Sequence, residues 1–587
     1  MIRRISYVRL TAMIAAAAMF GGSAVQSHAQ SAAQQSGDWS DPATWAPAEP
    51  AAGDLATING GFTVGVSQAG EVAGTLDLGT VASQSGNLSV SAPATLTVST
   101  TMRVGQAATT TGNVTMSGGT VTVNGASPSG FGNGDLIVGD VGNGNWTQSG
   151  GDVTARDEII IGLADVSTGV VDVSGGTFQT ALGPHPATGG RSILVGFDGN
   201  GTLNVSGTGA VTANFDLLVG FLPGSVGTVN LSGGNIEAGF LFTNIDGNPA
   251  GSTAVINMTG GTFTTRVAFV LGQRAGTTTM NHSGGAINSP TNNGDMVVGD
   301  GGANTSTYNV SDTATVDVLH NFIVGAGGGS NGTVNQTGGT ITAGDNLLIG
   351  RDGVGVWNMD GGVNNARNVF LGDFDSSQGT LKITGGTLNL TGNLSIGGAL
   401  ASNAAPDRVE PNGMNGPQGQ ALDANGVLIV SGNGGVINVD GNLLANPSDK
   451  SSFRSDPFAP GGDNSATLAF EIFSGAGTSL IDVAGVADLD GAVIDLDLMG
   501  GFSPALGATF DLLTATSFGS TGAGTTQNVG SGDGFTLASE DAGRFSLAIV
   551  SGGNGVILRV TAIPEPAAWS LAAVAFAGPA ARRRGCV

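Results

Sequence analysis

Three aspartates at one recurring place are the residues of this chain best spaced for chemistry. Asp140, Asp300 and Asp373 each directly follow a glycine that ends an apolar-apolar-Gly step. Asp198 and Asp352 stand one residue further on. If the repeat stacks, equivalent positions stack with it, and these carboxylates would form an acidic ladder. Such a ladder has three readings. Aspartates at turns accept hydrogen bonds from local amides. Neighbouring carboxylates and carbonyls bind Ca²⁺ weakly in extracellular modules. Two carboxylates on one sugar-binding face hydrolyse glycosidic bonds. The spacing therefore gives one candidate cofactor, Ca²⁺, at Asp140, Asp300 and Asp373, beside the turn and catalytic readings.

The other reactive residue types are sparse. His185, His282 and His320 have no partner at metal-ligand spacing, and HExxH, paired cysteines and a GxSxG elbow are absent. His282 and His320 fall where other repeats carry polar residues, which predicts exposed side chains. Lys382 and Lys450 are the only lysines, few for lyase chemistry, which needs bases to abstract a proton and neutralise an acidic sugar. The local departures from the repeat, Ala181 to Ser192 and Leu241 to Ser252, gather no acids and bases together. The expectation is a non-enzymatic structural or interaction protein. The alternatives are a polysaccharide-active lyase or hydrolase, or an adhesin that binds glycans without cleaving them.

Composition narrows the partners. The 587 residues include 103 Gly and 20 Pro, and the formal net charge is −25. Without the six arginines of the two termini, 13 basic residues face 44 acidic ones. Nucleic-acid binding needs a basic surface to displace counterions, so it is excluded as a function class. Binding to anionic lipid fails for the same reason. Glycine at this level accompanies regularly placed β-branched residues, so it acts as structural punctuation.

Repeats set the expected fold. A unit of about 25 residues runs from Leu76 to Leu400. Its first strand ends in steps such as Val138-Gly139, Ile161-Gly162 and Val195-Gly196. Its second alternates and ends in a double glycine, as in Val229-Asn230-Leu231-Ser232-Gly233-Gly234 and Ile256-Asn257-Met258-Thr259-Gly260-Gly261. A third short strand follows, as in Thr177-Phe178-Gln179-Thr180. Period-two alternation puts Val229 and Leu231 on one face and Asn230 on the other. Three such strands bury their inner faces only by stacking on the next unit. The fold class is all-β, a parallel β-helix of some 13 coils. Its architecture resembles the autotransporter-passenger and pectin-lyase-like solenoids.

The rest of the chain is placed around this rod. Residues 30–75 read as N-terminal capping coils, where Trp39 and Trp45 either cover the open end of the column or stack on a sugar. The span 76–400 holds the repeats, and 401–465 reads as loops and a last coil. Residues 466–561 carry longer strands that suit a small β domain or the closing turns of the rod.

Both ends carry targeting patterns. Arg3, Arg4 and Arg9 precede the small, apolar stretch Thr11 to Val25, and Ser27-His28-Ala29 offers small residues where a signal peptidase reads. Cleavage after Ala29 is expected, with 1–29 as a signal peptide. At the other end stand Pro564-Glu565-Pro566, then the apolar run Ala567 to Ala581, then Arg582-Arg583-Arg584. A helix over this run would span roughly 22 Å, short of a bilayer core, and the arginines would stay in the cytoplasm. The only cysteine, Cys586, lies in this segment. Residues 562–587 resemble a PEP-CTERM sorting tail. The resemblance implies recognition by an exosortase-type processing enzyme, transient contact with the inner membrane and delivery to the cell surface or extracellular matrix, where polysaccharide is the expected partner.

Overall fold

In the computed structural model, the described residues are 29–563 without 126–132, 182–190, 246–250, 292–293, 374–376, 398–423, 432–433, 446–464, 474–480, 490, 520–534 and 553–554. The chain winds as a parallel β-helix of about 15 turns. One coil shows the plan: Leu136–Val138 lies in sheet 1, Asn143–Gln148 in sheet 2 and Asp152–Ala155 in sheet 3. Each strand pairs in parallel with the same strand of the next coil, so Val114 sits on Trp146 and Trp146 on Val171. At about 4.8 Å per coil the rod is about 70 Å long.

The corners explain the glycines. Between sheets 1 and 2 the chain turns at Gly139, with φ 78°. A Cβ on Gly144, the second residue of the next strand, would lie 2.1 Å from the Gly139 nitrogen. Between sheets 2 and 3, Gly176 has φ 75°, and a Cβ there would lie 2.0 Å from the Gly151 carbonyl oxygen. Backbone packs on backbone at both places, so only glycine fits.

Alternation then sorts the side chains. Inward residues of all three sheets form one apolar column from Ala33 to Ala562. Trp146 meets Phe178 edge-on at 5.9 Å, and Phe322 meets Trp357 at 5.1 Å. The rod is longer than the repeat count suggests because it continues beyond the regular units. Asn425–Ser431 and Ser465–Ile472 add sheet 2 strands in parallel register. The strands Ser465–Ile472, Ile481–Asp488, Val493–Leu498 and Thr509–Phe518 thus belong to further turns of the same solenoid. An antiparallel hairpin, Phe545–Ser551 with Val556–Ala562, closes this end against Thr509–Phe518. The sorting helix expected after it lies outside the described residues.

The first coil closes the other end. Trp39 and Trp45 are both buried, with ring centroids 4.9 Å apart, and the Trp45 indole N–H donates to the Trp39 carbonyl at 2.8 Å. Of the two readings for this pair, capping fits the geometry. Rings this deeply enclosed offer no platform for a sugar.

His282 is a correction. The expectation was an exposed side chain, but it is 1% exposed and points into the column. The strand Gly276–His282, in register with its seven-residue neighbours Ser252–Met258 and Asn304–Val310, alternates so that Thr278, Met280 and His282 point inward. The His282 Nδ1 is 2.8 Å from the Tyr308 hydroxyl, and burial pushes the imidazole down to about 4.

Two outcomes follow. Val229→Asp puts a charge in the dry column and should cost several kcal/mol. Thr228→Asp, on the outer face, should cost less than about 0.5 kcal/mol. Asn230 also lies on the outer face. However, it donates to Asn204 at 2.7 Å and accepts from Asn257 at 2.8 Å, so Asn230→Asp should cost about 1 kcal/mol. In urea melts Val229→Asp should lose most stability, Asn230→Asp less and Thr228→Asp least.

The second concerns pH. His282 has a folded value below its unfolded one near 6.5, so its stabilising neutral form is fully present above that value. As pH falls from about 6.5 to about 4 the unfolded chain takes up the proton first, and stability drops. The full loss is about 3 kcal/mol. His282→Met, a residue found at the equivalent Met258 and Met359, should remove this pH dependence in matched melts at pH 7 and pH 4. Parallel pH profiles for the two proteins would contradict the buried neutral imidazole.

Candidate functional site

The three outer faces of the rod have different chemistry. On sheet 1 the middle residue of each short strand points outward, yet from Ile137 to Phe370 these residues are apolar and buried. They form a second core outside the tube. Phe197 and Phe221, stacked at 5.0 Å, and Ile245 pack with them from the turn after the strand. Sheet 3 presents threonines mixed with charges such as Asp152, Glu237 and Asp317. Sheet 2 presents amides and hydroxyls.

This arrangement does not assemble the expected acidic ladder. Asp140 and Asp300 do occupy one turn position, but they are six coils apart, about 29 Å, and Asp373 is three coils beyond, about 14 Å. Leu163, Phe197, Phe221, Ile245 and Gln273 fill the position between the first two, and Ala326 and Arg351 between the second two. The three aspartates cannot share one ion. Asp198 is nearest in charge to Asp165 of the preceding coil, and burial with this neighbour raises its pKa. Asp352 lies in the corresponding turn three residues beyond Ile349. Among the described residues no group of three or more His, Cys, Asp or Glu could hold a metal ion.

Asp140 instead belongs to a cluster at the N-terminal part of sheet 1. Arg103 holds Asp77 through two hydrogen bonds, Nε to Oδ1 at 2.8 Å and a terminal nitrogen to Oδ2 at 2.7 Å. Both side chains point outward on neighbouring strands, in the column that turns apolar at Ile137. Burial raises Asp140 to about 6; Arg103 pulls it down and Asp77 pushes it up.

A second carboxylate group sits at the corner between sheets 3 and 1. This corner carries a ladder of side chains that accept the backbone N–H of the next coil. Asn368 accepts from the Asn393 N–H and Asn393 from the Asn442 N–H, both at 2.9 Å. Asp295 accepts from the Asn321 N–H at 3.0 Å and contacts His320 at 2.6 Å, while Asp345 approaches the other His320 nitrogen at 3.3 Å. His320 is therefore a half-buried bridge between carboxylates of the coils on either side, and the exposed reading is corrected for it too. His185 lies outside the described residues, as do Pro564, Glu565, Pro566, Arg582, Arg583 and Arg584.

Lower in the same ladder Asp135 accepts from the Glu158 N–H at 3.1 Å. Glu158 itself is buried, and burial with the charges of Asp135 and Asp157 raises its pKa well above the ordinary value. A carboxyl kept neutral by its surroundings can donate a hydrogen bond or a proton. Like Glu71, which burial and the neighbouring Glu49 raise to about 7, Glu158 with Asp135 resembles an acid–base pair. Sequence reasoning missed it because Asp135 and Glu158 are 23 residues apart. The signal was the run Arg156-Asp157-Glu158 directly before Ile159-Ile160-Ile161, charges set against a strand that is otherwise wholly apolar.

Glu158→Gln tests this environment. The folded pKa is raised, so the carboxyl contributes its stability only below the unfolded value near 4.3, and that stability is lost as pH rises. The glutamine variant should melt higher than the parent at pH 8 and alike at pH 4. A lower melting temperature at pH 8 would mean that Glu158 is charged and paired in the folded rod.

Comparison of the chain with protein-family models, with curated proteins and with solved structures found no match.

Proposed function

We propose that this chain is an exported, non-enzymatic rod of the cell surface or extracellular matrix, with a structural or interaction role. The observation that carries this reading is where the chain enters and leaves the solenoid. Residues from Gln30 form the first coil, under the Trp39–Trp45 cap, and the closing hairpin that ends at Ala562 lies at the opposite end. A sorting tail starting at Pro564 would hold the rod by its far end. The capped first coil would then project about 70 Å from the attachment point. The closed column also suits a place outside the cell. It is stabilised through its length by stacking and has no cysteine between residues 1 and 585.

A second reading, a polysaccharide hydrolase, draws on the Asp135–Glu158 pair, although both side chains are buried. Reproducible glycan depolymerisation by the purified chain that vanishes in Glu158→Gln would establish it. For the leading reading, the native host should carry the protein on its surface or in its matrix. Intact-mass analysis of that material should show loss of residues 1–29 and of the segment after the 564–566 motif. A surface form that retains Arg582 to Arg584, or a protein confined to the cytoplasm, would overturn it.

A further inference from the structure

We propose that the outer face of sheet 2 is a binding surface for a neutral polysaccharide chain. The proposal rests on the extracellular placement argued above and names the partner of the rod. Eleven consecutive strands, from Ser85–Val90 to the start of Val354–Leu371, each present three outward positions. Asp172 is the one charged residue among them. The rest are Asn, Thr, Ser and Val. In a chain with 44 acidic residues, a face about 48 Å long with a single charge sets it apart from sheet 3 and from the turns.

The polar groups of this face are fixed in place. From Asp172 to Asn358 one outward column is a ladder, in which each Asn side-chain amide donates to the residue of the preceding coil at 2.6–3.0 Å. An amide has two N–H donors and two acceptor sites. Within the ladder each Asn from Asn204 to Asn335 uses one of each, so these coils keep one donor and one acceptor for a ligand. The neighbouring column, with Thr228, Thr279 and Thr333, adds hydroxyls. Pre-ordered side chains lose little entropy on binding, and many weak contacts along one polymer add through avidity.

Charge decides the class of partner. A net charge of −25 repels uronate or sulfate polymers and nucleic acid. A neutral polymer whose hydroxyls both donate and accept meets this face without that repulsion, and it has the length to span many coils.

The experiment uses the full purified chain with insoluble cellulose and mannan as neutral probes and alginate as the acidic one. Retention is expected on at least one neutral probe and not on alginate. The triple variant Thr228→Asp, Thr279→Asp, Thr333→Asp keeps the ladder and should lose retention at least tenfold with an unchanged melting temperature. The matched triple on sheet 3, Thr212→Asp, Thr264→Asp, Thr342→Asp, should bind as the parent does. No retention on either neutral probe, or retention equal in the two triples, overturns the proposal. So does self-association of the parent that the sheet 2 triple abolishes, because the partner would then be a second copy. None of these results bears on surface localisation, so the two readings fail separately.

Discussion

Parallel, in-register stacking is the constraint on which the rest of this structure depends. A coil of three short strands cannot bury its own inner face. Its apolar residues become a core only when the next coil sets like on like, Val114 on Trp146 on Val171. Register then has no slack. A slip by one residue would turn every inward side chain out, and it would also drive a Cβ into the backbone contact between Gly139 and Gly144. Glycine at the corners and alternation in the strands are thus two halves of one requirement.

The same stacking creates ladders wherever an outward residue recurs. Asparagine makes them stable, since one side chain both donates and accepts along the rod axis. Sheet 2 carries such a ladder from Asp172 to Asn358, and the corner before sheet 1 carries another from Asn321 to Asn368. A ladder position tolerates what can still accept the neighbour's N–H, as Asp295 and Asp135 do. At Glu158 burial and the charges of Asp135 and Asp157 raise the carboxyl pKa instead. Apolar recurrence on sheet 1 gives the outer core instead, where a short strand and its flanking turn let Phe197 and Phe221 close over the face. Three faces with three chemistries follow from one winding.

The sequence by itself determined the three-strand coil, its direction and its inner face. These are properties of local period and of glycine placement, and both are visible in a stretch as short as Val226 to Gly234. The closing turns from Ser465–Ile472 to Thr509–Phe518 were harder to read because the period lengthens there while the stacking continues. Tertiary structure alone decided which equivalent residues are neighbours. Asp140, Asp300 and Asp373 share a repeat position, but contact along a rod falls off within one coil, and intervening residues separate them. Asp135 and Glu158 look unrelated in the chain and meet because they lie one coil apart. His282 looked polar and therefore exposed, yet its parity within its strand put it beside Tyr308 in the column. Recurrence in sequence fixes position around the coil; only the stacking order fixes distance along it, and interaction energies depend on distance.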